Sequence, residues 1–239
     1  MFLAILIAGL VQAPVCPDDA ATPALRDSAV LAGSLDLPAA VQRLEQPSIR
    51  GCPEVRAAAL YLNALQRARD AYSSGGDATS LQPVMLAIAT LEQQAAGGDV
   101  RAELMRVILL AAVAAAQSER GDMALLLEHA MAMERRLVAE GGSGAPGVTA
   151  HEAAGDLWLQ VHRFESAAAA YTAAAQLFGG TSRITLGLAH VAVQTKQAEP
   201  ACRAYRALIA DWRGADPAAA VVEARAFVAS QCTTSGAKE

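Results

Sequence analysis

The strongest constraint on this fold is a self-match. Laid over itself at a spacing of about 34 residues, the segment 148–215 pairs Leu159 with Val193, Ala167 with Ala201, Tyr171 with Tyr205 and Ala174 with Leu208. A chain that repeats at this period builds similar helical units and stacks them, because one unit cannot bury its own apolar face. In the first unit Gly155 holds a small position on one helix, with Trp158 three residues on, and Ala167, Tyr171 and Ala174 follow on the next. In the second unit Ala189 and Ala192 take the first-helix places, and Ala201, Tyr205 and Leu208 follow. Small residues let the two helices of a pair touch, while the aromatic fills the space toward the next unit.

These positions resemble the tetratricopeptide family, over under a third of the chain. The family's early Trp is His151 in the first unit and Thr185 in the second, and its terminal Pro is Gly179 and Arg213. The hairpin expected over 100–140 fits more loosely, with Leu126 and Ala130 near the second-helix positions. The resemblance implies an all-α fold, a right-handed helix-hairpin solenoid of about ten antiparallel helices. It also implies a protein or peptide partner held in a groove lined by the first helices. The matching positions are Thr149, Glu152, Asp156 and Gln160, then Arg183, His190 and Gln194. Glu152 and Asp156 would form one wall and Arg183 and His190 the other, orienting a peptide while Leu159 and Val193 give apolar contact. The competing reading is that these are the solvated faces of ordinary helices.

Composition supports stacked helices. Alanine makes up about a quarter of the residues, against 4% aromatics. Alanine is the best helix former and permits close approach, whereas sheets want β-branched and aromatic residues. Gly, Ser and Pro cut the chain into helical segments over 23–32, 36–46, 53–72, 80–96, 100–118, 123–140, 148–161, 164–178, 182–196, 200–213 and 216–231. The segment opening at Ser80 carries Pro83 in its expected first turn, and the apolar run 107–116 is too short for a membrane span and reads as a buried central helix. Arg120-Gly121-Asp122 falls in an expected turn. The stretch 141–147, GGSGAPG, reads as the most flexible internal segment and as the boundary between an N-terminal helical region (14–140) and the repeats with a capping helix (148–232). A disordered tail is expected over 233–239.

The chain opens with an apolar run from Phe2 to Val11, then Val11-Gln12-Ala13 and a polar segment. Its length suits a signal peptide over 1–13 with cleavage after Ala13, placing the mature protein in the periplasm or outside the cell with no stable membrane insertion after cleavage. A buried N-terminal helix is the competing reading. Export suits the cysteines, Cys16, Cys52, Cys202 and Cys232, which have no Cys-x-x-Cys spacing. In an oxidising compartment four cysteines allow three connectivities, and the sequence-local one pairs Cys16 with Cys52 and Cys202 with Cys232. Zinc binding and four free thiols are the rivals.

The net charge of −5 and only two lysines, Lys196 and Lys238, argue against nucleic acid. His151-Glu152 begins like a zinc-protease helix, but the second ligand position is Gly155. No nucleophile elbow, phosphate loop or dinucleotide fingerprint is present. Glu152 and Asp156 share a helix face, more in the manner of a hydrated acidic stripe than of an acid–base pair. The expectation is an exported interaction scaffold without catalysis, cofactor or metal. The alternative is a structural envelope protein that self-associates through its Ala-rich helix faces.

Overall fold

A computed structural model describes residues 24–25, 37–212 and 219–232. The expected signal peptide at 1–13, Cys16, most of the helix expected over 23–32, the join between the segments expected over 200–213 and 216–231, and the tail 233–239 lie outside the described residues. The described residues form ten helices and no strand. They are α1 (Leu37–Leu44), α2 (Pro53–Ser73), α3 (Ala78–Ala96), α4 (Val100–Ala116), α5 (Arg120–Ala139), α6 (Ala150–Gln160), α7 (Phe164–Phe178), α8 (Ser182–Gln194), α9 (Ala198–Asp211) and α10 (Ala219–Gln231).

The starts of α3 and α5 differ from the sequence reading in ways that change the local structure. α3 begins at Ala78, not after Ser80, because the Asp77 carboxylate accepts from the amides of Thr79 (2.9 Å) and Ser80 (3.0 Å). Pro83 therefore lies inside the helix, one turn further from its start than expected. α5 begins at Arg120, so Arg120, Gly121 and Asp122 form its first turn instead of a loop.

The hairpins α4–α5, α6–α7 and α8–α9 turn in the same way. Each places a non-glycine residue in the left-handed region: Ser118 (φ 64°), His162 (φ 61°) and Lys196 (φ 59°). The amide that follows reaches back to an equivalent carbonyl in each case: Glu119 to Ala114, Arg163 to Trp158 and Gln197 to Ala192, all at 2.8 Å. This bond satisfies a carbonyl that the helix end would otherwise orphan.

Burial repeats as well. On each second helix three residues at i, i+4 and i+7 enter the core: Val84, Ile88 and Leu91 on α3, Met123, Leu127 and Ala130 on α5, Ala167, Tyr171 and Ala174 on α7, and Ala201, Tyr205 and Leu208 on α9. The residue aligned with the tyrosines on α5 is thus Leu127, not Leu126, which is only half-buried. Each helix packs on its neighbour in sequence, and the even-numbered helices also pack on one another, α2 on α4, α4 on α6 and α6 on α8.

Small residues set these approaches. Tyr171 lies between Gly155 on α6 and Gly187 on α8: a Cβ at Gly155 would meet its ring at 2.6 Å, and one at Gly187 closer still. Glycine inside a helix costs about 1 kcal/mol relative to alanine, and here it makes room for a fully buried ring. α4 is buried on nearly every face, as the run 107–116 suggests. One core runs from Ala24 and α1 to Ala170 on α7, straight across the segment 141–147, and smaller cores surround Tyr171 and Tyr205. The Cys202–Cys232 disulfide forms as expected, with a Cα separation of 5.7 Å, and ties α9 to the end of α10. Cys52 is buried and disulfide-bonded.

Candidate functional site

Four of the expected groove residues lie on or at the start of α6 and three on α8. Thr149 is the N-cap of α6, and its hydroxyl accepts from the Glu152 amide. The Glu152 carboxylate returns the bond: Oε2 accepts from the Thr149 amide at 3.0 Å and its hydroxyl at 3.1 Å. Its other oxygen, Oε1, accepts from the Thr181 hydroxyl at 3.2 Å, which joins the start of α6 to the start of α8. Glu152 is 3% exposed.

One turn along, Asp156 Oδ2 receives Arg183 Nη2 from α8 and Arg69 Nη2 from α2, while Oδ1 receives the Tyr171 hydroxyl. The side chains of Arg69, Asp156 and Arg183 are 20%, 22% and 10% exposed. The structure therefore brings Asp156 and Arg183 together as a pair. They are not opposed walls free to orient a peptide, and that expectation is corrected. The physical reason is distance: helices that pack side by side put oppositely charged neighbours in contact, and partly buried charges pair before they serve anything else. Burial first, and then the like charge of Arg183, pull the Arg69 guanidinium below its ordinary value, yet it stays protonated at neutral pH. Burial raises the Tyr171 phenol to about 12.

The remaining groove residues are scattered. Gln160 is half-buried at the end of α6, and its backbone carbonyl accepts from the Tyr72 hydroxyl at 3.0 Å. His190 Nε2 lies 2.8 Å from Glu223 Oε1 on α10, an oxygen that also accepts the Tyr205 hydroxyl at 2.6 Å. Gln194 is exposed.

Sequence reasoning did not single out Arg69. Tyr61, Arg69 and Tyr72 fall on one side of α2 and reach α6 and the residues just before it. Tyr61 donates to the Val148 carbonyl at 2.7 Å, Arg69 pairs with Asp156, and Tyr72 closes the far end on Gln160. The signal was available as two tyrosines and an arginine sharing a helical stripe. What α2 faces across α4 was not.

Glu134 on α5 was missed too. It and His151 are both 0% exposed. Oε1 accepts from the amides of Ala145 (3.1 Å) and Ala150 (2.8 Å); Oε2 accepts from the His151 amide (3.1 Å) and its ring Nδ1 (2.7 Å). On the far side of the ring, Nε2 lies 3.5 Å from Arg135 Nη1. This carboxylate caps the start of α6 from outside the helix and complements the positive end of its dipole. It also pins GGSGAPG: Ala145 is buried, and the backbone at Gly144 lies against Glu134 and Phe178. The stretch read as flexible is thus held at its middle by a buried acid. Hydrolytic chemistry from this Glu–His pair would need solvent access that neither side chain has.

Two concavities among the described residues bear on function. A cavity of about 930 Å³ lies at the N-terminal ends of α2, α4, α6 and α8, and a shallower groove of about 510 Å³ runs between α3, α4 and α5. No cluster of His, Cys, Asp and Glu suited to a metal occurs among the described residues, and no described helix is long and apolar enough to cross a membrane. In comparisons with protein-family models, curated proteins and solved structures, the chain matches none of them.

Proposed function

We propose that this chain is an exported interaction scaffold that works without catalysis, a right-handed helix-hairpin solenoid of tetratricopeptide type. The carrying observation is the recurrence of one hairpin: the same turn bond in three of them and the same buried i, i+4, i+7 triplet on four second helices. The stacking of α2, α4, α6 and α8 in a row supports it, since stacked pairs that contact mainly their neighbours build an extended surface. Export is supported by the apolar run at residues 2–11 and by the disulfide between Cys202 and Cys232.

The partner surface is the groove between α3 and α5, because Asp156 of α6 and Arg183 of α8 are already paired with each other within the chain. Met85 and Leu125 line it at 47% and 67% exposure, with Leu110 and Val113 at its floor and Glu119 and Asp122 at one end. Exposed large apolar side chains gathered along one groove mark interaction sites more often than scattered ones do. An apolar helix carrying a basic residue at one end fits that chemistry. The test is capture of partners from an envelope extract by the mature protein and by a Met85→Glu, Leu125→Glu double variant. A partner retained by the wild type and lost by the variant, with helicity unchanged, supports the reading. Equal capture by both refutes this surface, and a product that keeps residues 1–13 and stays in the cytoplasm refutes export.

A further inference from the structure

The cavity at the N-terminal ends of the even-numbered helices belongs neither to the α3–α5 groove nor to the Asp156 contacts. Its volume of about 930 Å³ lies within the range of small-molecule sites, roughly 300–1,000 Å³. Met105, Leu137 and Phe178 give it an apolar wall, and Ala57 keeps that wall thin. Glu152 and Thr181 line its polar end.

Glu152 decides what the cavity can take. A carboxylate accepts about four hydrogen bonds. Glu152 has three, from the Thr149 amide, the Thr149 hydroxyl and the Thr181 hydroxyl. All three donors are neutral, and among the described residues no cation lies within ion-pair distance of it. Arg69 and Arg183 are held on Asp156 one turn away. The free acceptor position is on Oε1, where only Thr181 donates.

The charge of the lining points the same way. Glu54, Asp99 and Glu152 stand against Arg101 alone. The helix N-termini add about half a positive charge each, but those of α4 and α6 are already met by the acids that cap them, Asp99 for the one and both Glu152 and Glu134 for the other. An anion would have to enter beside those carboxylates, and a neutral head would leave Glu152 without a cation. An ammonium meets both needs. We propose that the cavity binds a small amphiphilic amine, its ammonium on Glu152 Oε1 and its apolar body against Met105, Leu137 and Phe178. This inference does not depend on the partner reading, which uses the other end of α4.

Three probes with one tail separate the alternatives: n-octylamine, 1-octanol and sodium octanoate, titrated calorimetrically into the full oxidised chain at pH 7. Octylamine should bind about tenfold or more tighter than either of the others, the gain expected of one charge-assisted hydrogen bond. Glu152→Gln should cut that preference to less than about threefold while octanol binding persists. Ala57→Phe, which fills the cavity, should abolish binding of all three. Octanoate binding as tightly as octylamine overturns the proposal, as does an absence of octylamine binding or a preference that survives Glu152→Gln. Should Glu152→Gln fail to fold, the ranking of the three probes on the wild type decides, with Ala57→Phe placing the site.

Discussion

Glu134→Gln keeps the shape of the side chain and removes one of its two acceptor oxygens. Each oxygen of Glu134 accepts two donors, so the amide group must turn its NH₂ toward one pair. If the NH₂ replaces Oε1, it faces the backbone amides of Ala145 and Ala150, and neither can become an acceptor. If it replaces Oε2, it faces the His151 amide and the His151 ring. The ring can shift its proton to Nε2 and accept through Nδ1, which leaves one orphaned amide and turns an Nε2–H toward Arg135. The second arrangement is the cheaper one.

Its cost follows from the structure. One buried amide without a partner costs about 1–3 kcal/mol, and the two bonds kept by the remaining oxygen each lose charge assistance of about 1 kcal/mol. The sum is about 3–5 kcal/mol, and a chain of this size loses roughly 2–4 °C of Tm per kcal/mol, so a drop of about 6–20 °C is expected. Glu134→Ala orphans all four donors and should cost about 5 kcal/mol or more. Urea unfolding followed by far-UV circular dichroism gives the totals, and amide exchange gives the location. In Glu134→Gln the His151 amide should exchange faster by a larger factor than those of Ala145 and Ala150. A variant within about 0.5 kcal/mol of wild type, or one in which His151 keeps its protection, would refute the reasoning.

Three further outcomes follow from the packing and the bonds. Gly187→Ala gains about 1 kcal/mol of helix propensity but drives a methyl into the Tyr171 ring, and should show a net loss of about 1–2 kcal/mol in chemical denaturation. Reduction of Cys202–Cys232, which closes a loop of 30 residues, should cost about 3–4 kcal/mol by the loop-entropy model and expose α10 to proteolysis before the other helices. Tyr61, Tyr171 and Tyr205 all have phenols raised by burial, Tyr171 to about 12, against about 10 in the unfolded chain. Their contribution is complete below pH 10 and is lost as pH rises toward the folded values, so stability should fall between pH 10 and 12; absorbance at 295 nm should show these phenols ionising together with loss of helix, not before it.

The helices were legible in the sequence and their long-range pairings were not. Alanine-rich helical spacing bounded by Gly and Pro placed nearly every helix, because both signals act within a few residues. The units at α6–α7 and α8–α9 stood out since Tyr171 and Tyr205 carry the same residue at a fixed spacing. The equivalent positions on α5 and α3 hold Leu127 and Ile88, which look like any core residue, and the longer segment before α6 shifts the register by ten residues relative to the next repeat. The Cys202–Cys232 pair followed from antiparallel neighbours. Asp156 and Arg183 were read as opposed walls of a groove; their contact, completed by Arg69 from α2 and Tyr171 from α7, depends on long-range packing that spacing does not carry. Composition likewise reports the freedom of GGSGAPG as an isolated segment, and Glu134, which accepts from Ala145 in its middle, lies on the preceding helix.

These cross-links change how the stack should hold together. In an array of hairpins that touch only their neighbours, stability is close to a sum of local terms, and units can come apart one at a time. Here α2 bonds to α6 through Arg69 and Tyr72, and to Val148 just before it through Tyr61, with the whole α4–α5 hairpin between them in sequence and separations of 87 to 88 residues. The contact is possible because α4 offers alanines at 111, 112, 114, 115 and 116, all buried, and keeps its neighbours close enough for long side chains to pass over it. Opening the middle hairpin therefore breaks bonds on both sides of it as well as its own, and Asp156 extends the connection to α8 through Arg183. Alanine content and the buried arginine–carboxylate contacts are parts of one arrangement: the first sets the spacing that the second requires. A stack assembled this way should open as a block from α2 to α8, with α9 and α10, joined by their disulfide, as the element able to move separately.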